Sequence, residues 1–433
     1  VMPSHYIQEF GGVRVAYTEL KLIMIIGKTP HQSGLEDLKR KVRVIIKYPL
    51  AKETINNEDI NILCDWLKSY PRLTKGQLTW EVEEAWSQYI GTKHAVFNNS
   101  GSSANLLMVY AAIMTGRIKN KKIVVPSVGW VTTIAPAIQF GLEPIMVGAD
   151  PKTFGIDLDQ LEAVCEKERP DAVIYVQVLG VPHYRERLLA LKSKYGFTLL
   201  EDACAALGAS YSDGQMVGTI GDMSSFSFYF GHQLSTIEGG MVNTSDKELY
   251  ETLLMLRSHG WGKDLPEDSY NKLIEENDVD DFHKPFTFFI AGFNLRSTDL
   301  QAFLGLRQIK KANWVSVRRN ENHLLYAKLL EGYVQFQDWR GHNPVSISFG
   351  ALANNKEHRK EIVTRLVESG IETRIFSAGN LGRHPFWTKR YGQFEDEMSD
   401  RIHSCGFFVP NYPELTEDEV RFICKIIKGE QNE

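Results

Sequence analysis

Between residues 95 and 200 short apolar runs alternate with amphipathic stretches, and that alternation leaves few folds open. Apolar runs of strand length stand at 95–97, 122–126, 144–147, 172–176 and 198–200. Helical spacing fills the gaps at 102–114, 132–141, 158–168 and 185–195. Two earlier helices are expected at 57–69 and 79–90, the second stopped by Gly91. A run that is apolar throughout has both faces buried, and parallel strands joined by crossover helices achieve this. The pattern therefore predicts an α/β fold, a largely parallel sheet sandwiched by helices. In such sheets ligands bind beyond the carboxyl ends of the strands, so the loops there are the ones to search. Past residue 310 the pattern becomes a smaller α+β unit, with strands expected at 345–349 and 372–375. The expected division is an extension at 1–40 with no assigned role, a large domain at 41–310 and a small domain at 311–433. Residues 262–290 are charged and aromatic without clear periodicity, and are expected to be an insertion or long loop.

Composition removes several function classes. The net charge is −5 with both signs mixed along the chain, so no basic tract for nucleic acid stands out. The five cysteines are widely spaced with no Cys-x-x-Cys pair, which indicates neither a zinc ribbon nor a disulfide framework nor an iron–sulfur cluster. A reducing, cytoplasmic setting is expected. The early apolar run at 22–26 is far short of the roughly 20 residues a bilayer requires, so no membrane span is expected.

Four places in the strand-end loops carry candidate chemistry. Ser100-Gly-Ser-Ser-Ala-Asn105 sits between a strand and a helix, where small residues and free N–H groups can receive a phosphate or simply cap the helix. Trp130 follows a strand by four residues and can stack on a flat ring or enter the core. Asp202 ends the strand near 198–200; its carboxylate can hold a heteroaromatic nitrogen protonated or cap a helix. The richest stretch is Phe226-Ser-Phe-Tyr-Phe-Gly-His232 followed by Ser235-Thr-Ile-Glu-Gly-Gly240. It offers a serine, a tight glycine turn and His232, a side chain suited to moving protons near neutral pH or to a structural role.

Taken in order, several segments resemble the DegT/DnrJ/EryC1/StrS family of sugar aminotransferases, from about Tyr48 to the end of the chain. They are Leu73-Thr-Lys-Gly76, Ser100-Gly-Ser-Ser-Ala104, Val125-Pro-Ser127, Glu201-Asp202, Glu238-Gly-Gly240 and Gly292-Phe-Asn-Leu-Arg296. The resemblance implies a fold-type I transferase that uses pyridoxal 5'-phosphate (PLP) or pyridoxamine 5'-phosphate (PMP). It implies that Ser102, Ser103 and Ser227 hold the cofactor phosphate, that Trp130 stacks on the pyridine ring and that Asp202 pairs with the ring nitrogen. It implies that Asn294 reaches the neighbouring subunit's cofactor, so that a homodimer shares its active sites.

Two positions depart from the aminotransferase pattern. Those enzymes carry a Schiff-base lysine five residues after the serine matching Ser227, whereas this chain has His232 and no lysine between Ser227 and Asp246. Imidazole cannot form that Schiff base but can move a proton. A histidine here is similar to the family's 3-dehydratase branch, as are Arg257-Ser-His-Gly-Trp261 and Gly379-Asn-Leu-Gly-Arg-His-Pro385. The lack of a cysteine cluster resembles the cluster-free, colitose-type members of that branch. The implied activity is loss of the C3 hydroxyl from a nucleotide-linked 4-keto-6-deoxy sugar, for 3,6-dideoxysugar and O-antigen synthesis, with L-glutamate as amino donor. The second departure is Ala205, where the family usually has a polar residue that contacts the cofactor near its ring hydroxyl. A transaminase working without the lysine and a catalytically inactive family member are the alternatives.

Overall fold

The structure, a computed structural model, describes residues 43–430 and, before them, residues 6–10, 13–18 and 21–26. The remainder of 1–40 lies outside the described residues. The early strands β1 (Tyr6–Phe10), β2 (Val13–Thr18), β3 (Lys21–Ile26) and β4 (Arg43–Ile45) pair in that order as an antiparallel sheet. The apolar run at 22–26 thus lies in a strand. Helices α1 (Asn57–Leu67) and α2 (Gln77–Ile90) follow, and Gly91 ends α2 in the left-handed conformation at φ 87°.

The alternating region folds as expected. Strand β5 (His94–Asn98) leads to α3 (Gly101–Met114), β6 (Lys122–Pro126) to α4 (Val131–Gln139), and β7 (Glu143–Val147) to α5 (Leu158–Glu168). Then come β8 (Ala172–Val176), α6 (Arg185–Tyr195), β9 (Thr198–Asp202), β10 (Met223–Ser227), β11 (Gly240–Thr244) and α7 (Lys247–Arg257). The sheet has seven strands in the order β5-β11-β10-β9-β8-β6-β7. Within it β11 runs antiparallel to both its neighbours, while the β10-β9, β9-β8, β8-β6 and β6-β7 pairings are parallel.

Successive residues of one strand feed opposite cores, as the period of two requires. Val124, Val173 and Tyr175 enter the core under α2, α5 and α6, whereas Ile123, Val125 and Ile174 enter the core under α3, α4 and α7. The outer edge of β5 is closed by side chains. Glu83 accepts the Phe97 N–H at 2.8 Å, and Arg257 donates to the Phe97 carbonyl at 2.9 Å and to Glu83 itself. A buried ion pair thus does for this edge what a neighbouring strand would do.

The rest of the chain comprises α8 (Glu267–Glu276), α9 (Asp299–Ile309), α10 (Ala312–Leu330), β12 (Gln335–Phe336), β13 (Ser348–Leu352), α11 (Lys356–Glu368), α12 (Pro385–Tyr391), α13 (Glu397–Cys405), β14 (Gly406–Pro410) and α14 (Glu417–Lys428). An antiparallel sheet β12-β13-β14 and helices α10, α11 and α14 enclose a third core around Tyr326, Phe349, Ile362 and Ile423.

Three expectations need correction. The strand expected at 345–349 is β13, displaced toward the C-terminus because Val345 and Ile347 bond instead to Gly180 and Leu179. Residues 372–375 form no strand; Ile371 and Arg374 make only isolated bridges, to Tyr48 and Phe408. The segment 262–290 is not a structureless loop. It contains α8, which seats Ile274 in the protein interior, and a single 3-10 turn at Lys284–Phe286.

Candidate active site

The parallel strands deliver their carboxyl ends to one edge of the sheet, where the loops after β5, β6, β9 and β10 converge. At the end of β5, Ser100 caps α3, its hydroxyl accepting the Ser103 N–H at 3.1 Å. The Ala104 N–H goes to the Ser100 carbonyl, so helix geometry leaves the Gly101 and Ser102 N–H groups without an intrahelical acceptor. Gly101 lies so close to the end of β10 that an added Cβ would stand 2.6 Å from Ser227 Cβ. Ser102 and α4 are joined by a bond from Ser102 Oγ to Thr132 Oγ1 at 3.1 Å. Two residues before Thr132, the Trp130 ring is 59% exposed, so it is not a core tryptophan. Its loop is braced by the last third of the chain: Ser377 Oγ donates to the Gly129 carbonyl at 2.7 Å, and the Leu381 N–H to the Ser127 carbonyl at 2.8 Å.

Asp202 closes β9 and is nearly buried. Its Oδ2 accepts from Thr133 Oγ1 at 2.6 Å and Asn105 Nδ2 at 2.9 Å, and its Oδ1 from the Cys204 N–H at 3.1 Å. Ser225 holds Asn105 in turn, at 2.6 Å. The carboxylate is thereby fixed in place by charge-assisted bonds, from two helices and its own loop. It is not a helix cap. Next to it, burial and the Asp202 charge drive the Cys204 thiol well above its usual range, so the thiol is inert as a nucleophile.

His232 follows β10 on the loop that turns back into β11. Its imidazole is half-buried, and its Nδ1 is enclosed without a hydrogen-bond partner. Burial lowers its pKa to about 4, with Asp202 opposing the shift and Arg319 adding to it. The ring is therefore neutral at physiological pH and able to accept a proton. Tyr229 lies edge-on to it, ring centroids 6.4 Å apart.

Ser102, Ser103, Trp130, Asp202, Ser227 and His232 thus come from the ends of four strands, β5, β6, β9 and β10, to one edge of the sheet. Asn294 does not join them within one chain. It is exposed beyond the outer edge of β5, where Leu295 and Arg296 pair with Asn99 and Asn98, and its Oδ1 accepts from Arg296 Nε at 3.1 Å. The partners of Asp202 were not singled out from the sequence. The available signals were faint: Asn105 is a polar residue in an otherwise Ala- and Leu-rich helix, and Thr133 lies one helical turn past Trp130.

The chemical complement is that of a phosphate cradle, an exposed aromatic face, a fixed carboxylate and a neutral base. These groups suit a phosphorylated pyridine whose ring nitrogen carries a proton. Among the described residues no group of metal-ligating side chains is present.

Comparison with known proteins agrees with this complement. Residues 53–428 match the model of the DegT/DnrJ/EryC1/StrS aminotransferase family. A GDP-4-keto-6-deoxy-D-mannose 3-dehydratase from Yersinia pseudotuberculosis is 33% identical over 399 residues, covering 89% of this chain and 99% of that protein. The solved structure of the E. coli GDP-4-keto-6-deoxy-D-mannose-3-dehydratase with bound hydrated PLP superposes with a TM-score of 0.82 at 29% identity, covering 88% of this chain and 99% of the other. A GDP-4-keto-6-deoxymannose-3-dehydratase with a trapped PLP-glutamate geminal diamine gives 0.80 at 28% identity, covering 88% of this chain and 100% of the other. The fold is that of these fold-type I, PLP-binding proteins.

Proposed function

The chain belongs to the DegT/DnrJ/EryC1/StrS aminotransferase family, and from that premise we propose that it is a PMP-dependent 3-dehydratase of a nucleotide-linked 4-keto-6-deoxyhexose. The observation that carries the proposal is His232, a neutral base without a covalent option, at the place where aminotransferases keep their lysine. The relatives named as GDP-4-keto-6-deoxy-D-mannose 3-dehydratases favour GDP as the nucleotide.

The residues divide the work. The Gly101 and Ser102 N–H groups, with the hydroxyls of Ser102, Ser103 and Ser227, hold the cofactor phosphate at the start of α3. Trp130 presents its face to the pyridine ring, and Asp202 keeps the ring nitrogen protonated. PMP supplies, when bound, an amine that condenses with the sugar ketone and a ring that accepts electrons. His232, with Nδ1 enclosed, takes and returns a proton through Nε2, and so assists departure of the C3 hydroxyl. A placed acid–base group of this kind contributes about 10²–10⁴-fold in rate. The net reaction balances as substrate plus L-glutamate giving the 3-deoxy ketone, 2-oxoglutarate and ammonia; the C3 hydroxyl leaves as water, and one water in turn supplies the keto oxygen of 2-oxoglutarate, so no net water appears. Ala205 offers no polar side chain to the cofactor, so contact with the ring hydroxyl falls to water or to another residue.

We further assign the protein to 3,6-dideoxysugar synthesis for O-antigen in the cytoplasm, a setting that suits its five unpaired thiols. Among the described residues no helix is long and apolar enough to cross a membrane. Residues 41–310 are taken as the cofactor-binding domain and 311–433 as the small domain, with α10 opening the third core in support. The exposed position of Asn294 at the β5 edge supports a homodimer in which it serves the partner's site.

The test incubates purified protein with PMP, L-glutamate and GDP-4-keto-6-deoxymannose. A product lighter by one oxygen, with ammonia released, supports the 3-dehydratase. An aminosugar establishes a lysine-free transaminase instead. No turnover with this or the CDP-linked analogue points to a protein that binds without reacting.

A further inference from the structure

His232 has few ties of its own. Its Nδ1 has no hydrogen-bond partner, so the orientation of the ring rests on its edge-on contact with Tyr229 and on where the backbone places it. The His232 N–H closes a turn to the Tyr229 carbonyl at 2.9 Å, and its carbonyl accepts from Arg319 at 3.5 Å, the long limit of a hydrogen bond. The next side chain makes much shorter bonds. Gln233 is fully buried and donates through Nε2 to the Ala205 carbonyl at 2.6 Å and the Val345 carbonyl at 2.8 Å.

The amide orientation is not interchangeable. Gln233 Oε1 is buried and unpartnered, and flipping the amide would set that oxygen against two carbonyl oxygens. Nor can the carbonyls move freely. Gly180 at φ 89° packs against both, since an added Cβ there would stand 2.4 Å from the Ala205 oxygen and 2.6 Å from the Val345 oxygen. Ala205 is three residues beyond Asp202, so a single amide ties the histidine loop to the loop that carries the carboxylate. Val345 ties both to the segment leading into β13.

We infer that Gln233 is the positioning residue of His232: it sets the distance between imidazole and carboxylate by clamping the histidine loop onto the Ala205 and Val345 carbonyls. The kinetic part of this inference rests on the 3-dehydratase reading, whereas the spectroscopic part does not.

The experiment compares the full-length protein with Gln233→Met, which removes both donors, and Gln233→Glu, an isostere that sets oxygen against the carbonyls. Measured are kcat, KM, the dissociation constant of PMP, and the ring-nitrogen NMR signals of the histidines, with His232 assigned through His232→Asn. A misplacement of about 1 Å in a catalytic group costs on the order of 10²-fold in rate, so kcat should fall about 10–100-fold while KM and PMP affinity stay within about threefold. The His232 signal should shift while those of His183 and His323 stay. Unchanged kcat and an unmoved His232 signal would overturn the inference. So would a fall in kcat matched by equal losses in KM and PMP affinity with all histidine signals disturbed, which marks a merely structural glutamine. A parent protein that fails to dehydrate, yet whose His232 signal moves in the variants, upholds the clamp and removes the reaction. Glu is close enough in shape to keep the test open where Met prevents folding.

Discussion

Gly101→Ala is the most informative single change, because sterics and helix propensity push in opposite directions. The new Cβ would stand 2.6 Å from Ser227 Cβ and 3.0 Å from both Ser227 Oγ and Cys204 Sγ. Carbon–carbon contacts settle near 3.5–4.0 Å, so one side must retreat by about 1 Å. Neither side is free to do so: Ser227 pairs with Gly240 across β10 and β11, and the Cys204 backbone is bonded to Asp202. Overpacking of this kind costs about 1–3 kcal/mol. Alanine's better helix propensity recovers at most about 1 kcal/mol, so a net loss of about 1–2 kcal/mol in stability is expected. The larger effect falls on the cofactor. Displacing Ser227 Oγ, or the start of α3, weakens one or two bonds to a phosphate at about 1.5–3 kcal/mol each. That corresponds to at least about tenfold weaker binding. Titration of the apoprotein with PLP, followed by absorbance, reads the affinity, and a thermal melt reads the stability. Gly129→Ala is the control, since its Cβ would meet nothing nearer than Val176 Cγ2 at 3.6 Å. Parent-like PLP affinity in Gly101→Ala, or an equal loss in Gly129→Ala, would refute the reasoning.

His232→Lys should form a covalent link to PLP, seen as a shifted absorbance band that borohydride fixes, and should lose dehydration; retention of the parent rate would remove His232 from the chemistry. Arg257→Met leaves Glu83 buried without its cation beside the β5 edge, and a destabilisation of about 3–5 kcal/mol is expected from denaturant midpoints. Burial lowers His183 to about 4 and His323 to about 3, both below the unfolded value, so each takes up a proton on unfolding in mildly acid solution. Each therefore stabilises the fold above about pH 6.5 and loses that contribution as pH falls toward its folded pKa, by about 1.4 kcal/mol per pH unit. The stability of His323→Gln should fall less steeply between about pH 6 and 4, by one proton's worth of slope; an unchanged slope would show that His323 is not held neutral.

The five apolar strand runs were legible because a strand buried on both faces has no polar position to disguise it, as in Ala172–Val176. Strand β10 was not read as a strand, since three of its five residues are serine, and it is recognisable only once Ser225 and Ser224 find partners in Asn105 and Asn243. The strand expected at 372–375 did not form because only single bridges are available to it, Ile371 to Tyr48 and Arg374 to Phe408. Helix α8 was hidden by its charge, with Ile274 its one buried residue.

By itself the sequence determined the α/β class and the family, and it pointed to the strand-end loops and to His232 as the places to test, because periodicity and residue type are local properties. Only the tertiary structure decided how those residues are held. The bonds that fix Asp202 run from Thr133 and Asn105, 69 and 97 residues away, and the clamp beside His232 reaches Ala205 and Val345, 28 and 112 residues away. Hydrogen bonds act over about 3 Å, and no local pattern records which distant residues the sheet order will bring that close.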